Sequence, residues 1–247
     1  MAKVKGLLHF TGTLHGLNFY MRKGVPIART AGGGFNGNAI KNHPSMVRVR
    51  ENGSEFKGCM QTVKYFKQSL APFLTQIKDG ELHQRMVRLF TQIKSCDVVS
   101  ERGKRNVGSG LQTEAGKAYL EHAVLTAGTS LQGLLHQPYR FDFVTGLQLM
   151  GFDGRLLDFP GGATHLKLSV GFLKFDFDQA AFRLVVSDSV YLNGDSMGDY
   201  LLGPLEAIPE NGTAVGVVFA HYVQEVNGVY YPLQQASDVV LEVVYVA

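Results

Sequence analysis

Apolar residues recur along this chain with two different periods. Between residues 45 and 97 they return every three or four positions, the spacing that places side chains on one face of a helix. From about residue 139 onward they alternate with polar residues, as they do in strands that have one buried face. The pattern therefore predicts a helical region followed by a β-sheet region.

Two helices are predicted in the first of these regions. One covers residues 45–71, although Asn52 and Gly53 disfavour its first turns and suggest a start near Ser54. Its apolar stripe consists of Phe56, Cys59, Met60, Val63, Phe66 and Leu70. Pro72 ends this helix, and the short connection through Asp79 and Gly80 favours an antiparallel partner. That partner runs from about residue 80 to 97, with a face made of Leu82, Met86, Leu89 and Ile93.

Shorter elements flank the helix pair. Three strand-like runs, at 4–10, 16–22 and 25–30, alternate with Gly-containing turns and predict a β-meander. Three short strands do not bury a core alone, so they must pack on the rest of the chain or on a neighbour. Residues 100–112 read as a loop, and a short helix is expected within residues 113–125.

The sheet region consists of six alternating segments between residues 139 and 246. Turn sequences such as FDGR, LNGD and VNGV separate them. Strands at this spacing predict an antiparallel β-sandwich, Ig-like or jelly-roll-like, or a partial barrel. The chain is thus predicted to be α+β, with three segments: a meander with a Gly-rich joint at 1–36, a helical region at 37–130 and a β-sandwich at 131–247.

Basic and acidic residues are divided unequally between the two halves of the chain. Residues 1–130 hold 19 Lys and Arg against 8 Asp and Glu, a formal charge of +11, whereas residues 131–247 hold 5 against 13, a charge of −8. Residues 1–50 carry eight basic side chains and no acidic one. Such a basic half suits a polyanion such as nucleic acid, and it equally suits the acidic half of another copy of the chain.

One constellation within the basic half combines positive charge with aromatic rings. Phosphate contacts with base stacking use this mixture, and so do protein interfaces anchored by aromatic residues and Arg. A solvated basic face is a third interpretation. The candidate contact residues are Phe19, Tyr20, Arg22, Lys23, Arg29, Lys41, Arg48 and Arg50. Phe35 lies among them in the sequence.

A pattern typical of dinucleotide-binding loops, G-x-G-x-x-G, occurs at Gly32, Gly34 and Gly37. Such a loop needs a long helix directly after it, whose N-terminus meets the pyrophosphate. Here Pro44 disfavours helical conformation at His43, which leaves room for only a short helix. Glu55 lies at about the distance of a ribose ligand, but on a predicted helix. We interpret the Gly-rich segment as a flexible joint.

No other pattern predicts a catalytic centre, a cofactor or a metal site, and an enzyme is not expected. Asp176 and Asp178 share a predicted strand face and could hold a cation, but such a pair is more typical of a solvated edge strand. Residues 193–199 lack the closing Glu of a calcium loop, and Ser109 lacks a full G-x-S-x-G. The two thiols, Cys59 and Cys96, are expected to be buried or half-buried. The histidines are scattered without metal-binding spacing, at His9, His15, His43, His83, His122, His136, His165 and His221.

No membrane span or signal peptide is predicted. The best apolar run, at 214–223, has strand length and falls well short of the roughly 20 residues that a membrane helix needs. The first apolar run is interrupted by Gly6, His9, Thr11 and Gly12. The expected location is the cytoplasm, with release only through lysis or a dedicated export machine.

Two stretches of the N-terminal half carry a resemblance to a family. The hairpin GLLHFTGTLHGLNFYMRKGVPIARTAGG and the helix start IKNHPSMVRVRENGSEF are similar to those of a widespread family of small Bacteroidota proteins. Residues 101–105 (ERGKR) and 226–233 (VNGVYYPL) also resemble that family. The matching positions are Phe10 to Gly12, Leu14, Gly16, Leu17, Phe19, Tyr20, Arg29, Thr30, Gly32, Gly33, Ile40 to Asn42, Pro44 and Arg50 to Phe56. The resemblance implies no known activity.

The sequence supports two main functional hypotheses. The first is a structural protein that assembles with itself into a filament or tube, through head-to-tail contacts between basic and acidic halves and through strand addition by residues 4–30. The second is a nucleic-acid-associated or phage-derived protein that uses the basic half. A carbohydrate- or surface-binding sandwich is a weaker third hypothesis, since the chain has no Trp.

Overall fold

A computed structural model describes residues 2–3, 11–32, 37–233 and 239–247. The chain divides into two compact units, Met1–Arg50 and Glu51–Ala247. From Glu51 onward, the predicted helical region and the predicted sandwich thus belong to one unit. The class is α+β, as the sequence predicted.

The first unit contains a small antiparallel sheet of four strands, β1 (Ala2–Lys3), β2 (Gly12–Leu14), β3 (Leu17–Arg22) and β4 (Val25–Thr30). Their order in the sheet is β1-β4-β3-β2. The predicted strands at 16–22 and 25–30 correspond to β3 and β4, whereas the run at 4–10 lies outside the described residues. The segment TGTLH, predicted as a turn, contains β2. The hydroxyl of Thr13 in β2 donates to the side-chain oxygen of Asn18 in β3, and this hydrogen bond between the paired strands supports a short strand there. Helix α1 (Gly37–Asn42) follows this sheet along the chain.

The helix pair forms as predicted, with corrections at its ends and on its faces. The first helix begins at Val47, not near Ser54, after a 3-10 turn at Pro44–Met46 in which His43 caps the N–H of Ser45. The turn already fixes the backbone, and this outweighs the modest helix propensity of Asn and Gly. The described helices are α2 (Val47–Ser69), α3 (Ala71–Leu74), α4 (Leu82–Ser95), α5 (Val107–Leu111), α6 (Glu114–Leu120) and α7 (Leu131–Leu135).

Contacts between α2 and α4 show that the two helices are antiparallel. Glu55 pairs with Lys94, and further along α2 the thiol of Cys59 meets the hydroxyl of Thr91. The predicted stripe was wrong at Phe56, which is 52% exposed, because the neighbouring Glu55 turns inward to its ion pair.

Two sheets make up the C-terminal part of the second unit. The strands are β5 (Arg140–Asp142), β6 (Gly146–Asp153), β7 (His165–Asp176), β8 (Ala181–Val186), β9 (Val190–Leu192), β10 (Met197–Leu202), β11 (Thr213–Val226), β12 (Val229–Pro232) and β13 (Val239–Val246). The larger sheet has six strands with the path β12-β11-β7-β8, in which β13 also pairs with β11 and β9 with β7. The smaller sheet has the order β10-β6-β5. All pairings are antiparallel.

The six-stranded sheet is the middle layer of the second unit. One face packs on the helices through buried Phe66, Phe90 and Phe175, with the ring centroids of Phe66 and Phe90 5.0 Å apart. The other face packs on the three-stranded sheet and α7 through Phe172 and Leu147, among others. Both sandwich-like packing and helix packing therefore use the same central sheet.

Candidate assembly surfaces

Strand register divides the N-terminal sheet into two chemically different faces. Phe19 pairs with Ala28, and Tyr20 pairs with Ile27. Because side chains alternate along a strand, odd-numbered residues of β3 lie on one face and even-numbered residues on the other. The faces are called here the apolar face, with Leu14, Leu17, Phe19 and Met21, and the basic face, with Asn18, Tyr20, Arg22 and Arg29.

The basic face holds three of the predicted contact residues together. Arg22 and Arg29 are exposed, and Tyr20 is half-buried. The guanidinium of Arg29 lies over the Tyr20 ring, 5.8 Å from its centroid. Such a cation–π pair holds an arginine above a flat ring, which leaves a positively charged aromatic platform.

The fold distributes the other five predicted residues differently. Phe19 lies on the apolar face, and Lys23 lies in the β3–β4 turn with φ of 49°. Lys41 lies in α1, and Arg48 in α2. Arg50 donates Nη1 to the carbonyl of Ile40 at 2.7 Å and to that of His43 at 3.1 Å, so that it closes the end of α1. Its part in the first unit is structural.

The apolar face exposes large side chains. Leu14, Leu17 and Met21 are 59%, 42% and 45% exposed. Contiguous exposed apolar side chains on a folded unit mark an interaction surface, in contrast to single ones. The strand β2 also lies at the edge of its sheet as described, where its backbone can accept a further strand.

A groove with a volume of about 630 Å³ lies on the outer side of the helical layer, where α2 meets α3 and α4. Its apolar part is made by Met60, Ala71 and Leu74, and its polar part includes Lys64 and Lys67. Among the described residues, no Asp or Glu lines this groove. The polar side chains that line the groove are Lys64, Lys67, Gln68, Thr75 and His83.

An acidic strip, residues 195–210, lies on the opposite half of the sequence. It contains four acidic residues and no Lys, Arg or His. It begins before β10 and continues through the loop to β11. Three large apolar residues in it are exposed, at 55%, 65% and 60%: Met197, Leu201 and Leu205. Neither the groove nor the strip is predicted from the sequence, although the local absence of basic residues in 195–210 is a signal for the strip.

Glu55 has a structural role that excludes the ribose-ligand interpretation. Its carboxylate accepts from Lys94 Nζ at 2.6 Å and from the N–H of Gly103 at 2.8 Å. The hydrogen bond from Lys94 is the main cause that lowers the pKa of Glu55. The segments at 50–56 and 101–105 thus meet at Glu55, because this carboxylate anchors the loop at 101–105.

Only part of the Gly-rich motif lies within the described residues. Gly33–Asn36, with the central Gly34 and Phe35, lies outside the described residues. Gly32 has φ of 87°, a conformation that favours glycine, and Gly37 begins the six-residue α1. A helix of this length lacks the extended packing that a dinucleotide loop requires.

The remaining candidate residues form no metal-binding group in the part of the chain that the structure describes. The pair at 176 and 178 does not share a strand face: β7 ends at Asp176, whose carboxylate accepts the N–H groups of Asp178 and Gln179 in a turn. Ser109 lies in α5, a helix where a loop was predicted, because Asn106 caps its first turn. No group of three His, Cys, Asp or Glu among the described residues could hold a metal ion.

Both cysteines are free thiols, as expected. Cys59 is buried and Cys96 half-buried. Burial raises the pKa of the Cys59 thiol, so it stays protonated and behaves as a core residue.

Comparison with known proteins yields no assignment. No family model matches the chain, and searches of curated proteins and of solved structures give no match either. In the described residues, no helix has the length and apolar character required to cross a membrane.

Proposed function

We propose that this protein is a structural subunit that assembles with copies of itself into a filament or tube. The observation that carries the proposal is the apolar face of the N-terminal sheet, where Leu14, Leu17 and Met21 are all more than two-fifths exposed. A neighbouring copy that covers this face removes apolar surface from water.

The free energies involved indicate that the apolar face contributes to a contact between copies but does not form that contact alone. Full burial of one Leu or Met side chain is worth roughly 1.5–3 kcal/mol. Association itself costs on the order of 4–15 kcal/mol. Three half-exposed side chains therefore need a second source of binding, which strand addition at β2 would supply through backbone hydrogen bonds.

Charge supplies the direction of the contact. The first 130 residues carry +11 and the remainder −8, so copies attract each other basic half to acidic half. Such a contact joins two different surfaces, and a heterologous contact that does not close produces a helical polymer. The resemblance to Bacteroidota proteins is part of the same proposal and assigns no further activity.

The test is negative-stain electron microscopy of the full chain with two single variants of β3. Leu17→Asp places a charge on the apolar face, whereas Asn18→Asp places it on the basic face and keeps the acceptor for Thr13. We expect polymers from the unmodified chain and from Asn18→Asp, and their loss with Leu17→Asp. A monodisperse monomer from the unmodified chain at low and high salt alike would overturn the proposal.

Nucleic-acid binding is the second candidate, and the basic face specifically favours it. Arg22 and Arg29 flank the Tyr20 ring there, a combination that contacts phosphates and stacks on bases. This function predicts binding to single-stranded oligonucleotides that weakens steeply with salt. Arg22→Ala and Arg29→Ala would then each reduce the salt slope by about one. Equal binding by both variants and the unmodified chain would exclude this use of the basic face.

A further inference from the structure

We propose that the helical groove receives the loop between β10 and β11 of a second copy, with Leu205 as the apolar anchor. The inference rests on the proposed function, since it names one head-to-tail contact of the polymer. It is independent of the N-terminal unit, because groove and loop both lie within Glu51–Ala247.

The groove has the chemistry of a site for an acidic segment with an apolar side chain. Met60, Ala71 and Leu74 supply an apolar surface, and Lys64 and Lys67 lie beside it. Both lysines project from one helix, α2, three residues apart, so they occupy neighbouring positions on its surface. A volume of about 630 Å³ accommodates several side chains and not merely one.

The loop has the complementary chemistry. Leu205 is 60% exposed, and Glu206 and Glu210 follow it within five residues. Pro204 and Pro209 restrict the backbone on both sides, which lowers the entropy that the loop loses on binding. The ion pair of Glu206 with Arg183 spans 2.9 Å between two exposed side chains, and an exposed pair of this kind contributes little to stability.

Charge selects this occupant over the alternatives. Every charged side chain of residues 1–50 is basic, so Lys64 and Lys67 would repel the N-terminal unit. Nucleic-acid phosphates match the lysines but leave the apolar residues of the groove unused. Met197 and Leu201 are also exposed and acidic neighbours surround them, but they lie on a strand of a sheet, whereas Leu205 lies on a loop that can enter a concave surface.

The groove and the loop occupy different parts of the second unit. The groove belongs to the helical layer, and the loop starts from the three-stranded sheet, which packs on the other face of the central sheet. A contact between them joins unlike surfaces of two copies. Such a heterologous contact does not pair two identical patches, and it extends a chain of copies where it does not close into a ring.

Charge reversal and its rescue test the contact. One variant carries Lys64→Glu and Lys67→Glu, another carries Glu206→Lys and Glu210→Lys, and a third carries all four substitutions. We expect each reversed variant to assemble at least tenfold more weakly in sedimentation velocity at low salt, and the third to recover assembly. The matched control is Lys57→Glu, which alters an exposed lysine of α2 outside the groove.

A second variant removes the apolar anchor, Leu205, and leaves the charged residues of the groove and the loop unchanged. Leu205→Ser is expected to weaken association by about tenfold to a hundredfold, the equivalent of one buried leucine. Leu156→Ser, at a residue 52% exposed, serves as the control. Polymers that persist in every variant would overturn this contact and leave the proposed function standing. A monomeric unmodified chain would overturn both.

Discussion

At the residue scale, His221 is an unusual side chain for a folded core. It lies on β11 with 3% exposure, and among the residues that the structure describes its Nδ1 has no hydrogen-bond partner. Lys167 is its cross-strand neighbour on β7, and the Phe219 ring centroid lies 4.8 Å away. Burial and then the charge of Lys167 lower the pKa of His221 from 6.5 to about 4. The folded state therefore keeps this imidazole neutral.

The direction of the pH effect follows from this difference. A histidine with a depressed pKa contributes its full stability above pH 6.5, and this stability is lost as the pH falls from 6.5 toward 4. The loss is on the order of 3 kcal/mol for a shift of this size. In urea unfolding between pH 7 and 4, the His221→Leu variant should lose less stability than the unmodified chain. Equal losses would show that His221 does not carry the pH dependence.

The comparison of the two proteins at each pH removes the contributions of other groups. Glu242 is the main group of opposite sign, since burial raises its pKa. Its stabilising contribution is therefore present in acid and is lost as the pH rises. Both proteins contain Glu242, so their difference reports His221.

At the element scale, buried glycines decide where helices can approach one another. A Cβ added at Gly110 in α5 would lie 2.1 Å from the carbonyl oxygen of Ile93 in α4, whereas at Gly58 in α2 it would meet nothing within 4 Å. Gly110→Ala should thus lower the free energy of unfolding by about 3 kcal/mol or more. Gly58→Ala should raise it by about 0.5–1 kcal/mol, because alanine favours the helix.

Urea unfolding of the two glycine variants checks this pair of predictions. The substitution is chemically the same in both, so the difference measures space alone. A similar effect of the two variants would mean that α5 does not pack against α4 as closely as described.

Long, strongly periodic elements could be predicted from sequence, and short ones could not. The spacing of apolar residues located α2, α4 and the strands of the central sheet. The helices α3, α5 and α7 have four or five residues and hold too few turns for a periodic signal. For α5 and α7 the caps were the available evidence: Asn106 and Ser130 each accept the N–H three residues on.

At the scale of the whole molecule, the candidate surfaces depend on which residues the fold brings together. The sequence identified the basic and aromatic residues of the first unit, but not that strand alternation separates Tyr20 from Phe19. The engagement of Arg50 with carbonyls is a tertiary contact with no sequence signal. The groove could not be predicted either, since Met60 and His83 become neighbours only when α2 and α4 pack.

The two-unit division leads to a prediction about the second unit alone. Every buried apolar residue in the described chain lies between Cys59 and Val246. A fragment of residues 43–247 keeps His43, which caps the turn before α2, and keeps both hydrophobic clusters. Its thermal unfolding should remain cooperative, with a Tm within a few degrees of the full chain.

The same fragment separates the two proposed contacts. It lacks the apolar face and β2 but retains the groove and the loop of Leu205. If both contacts build the polymer, the fragment should form short oligomers at high concentration and no filaments. Filaments of the fragment as long as those of the full chain would show that the N-terminal sheet is dispensable for assembly. A strictly monomeric fragment would show that assembly depends entirely on the first unit. Sedimentation velocity together with electron microscopy distinguishes these outcomes, because the folded fragment keeps both hydrophobic clusters and the groove contact and loses only the contact of the N-terminal sheet.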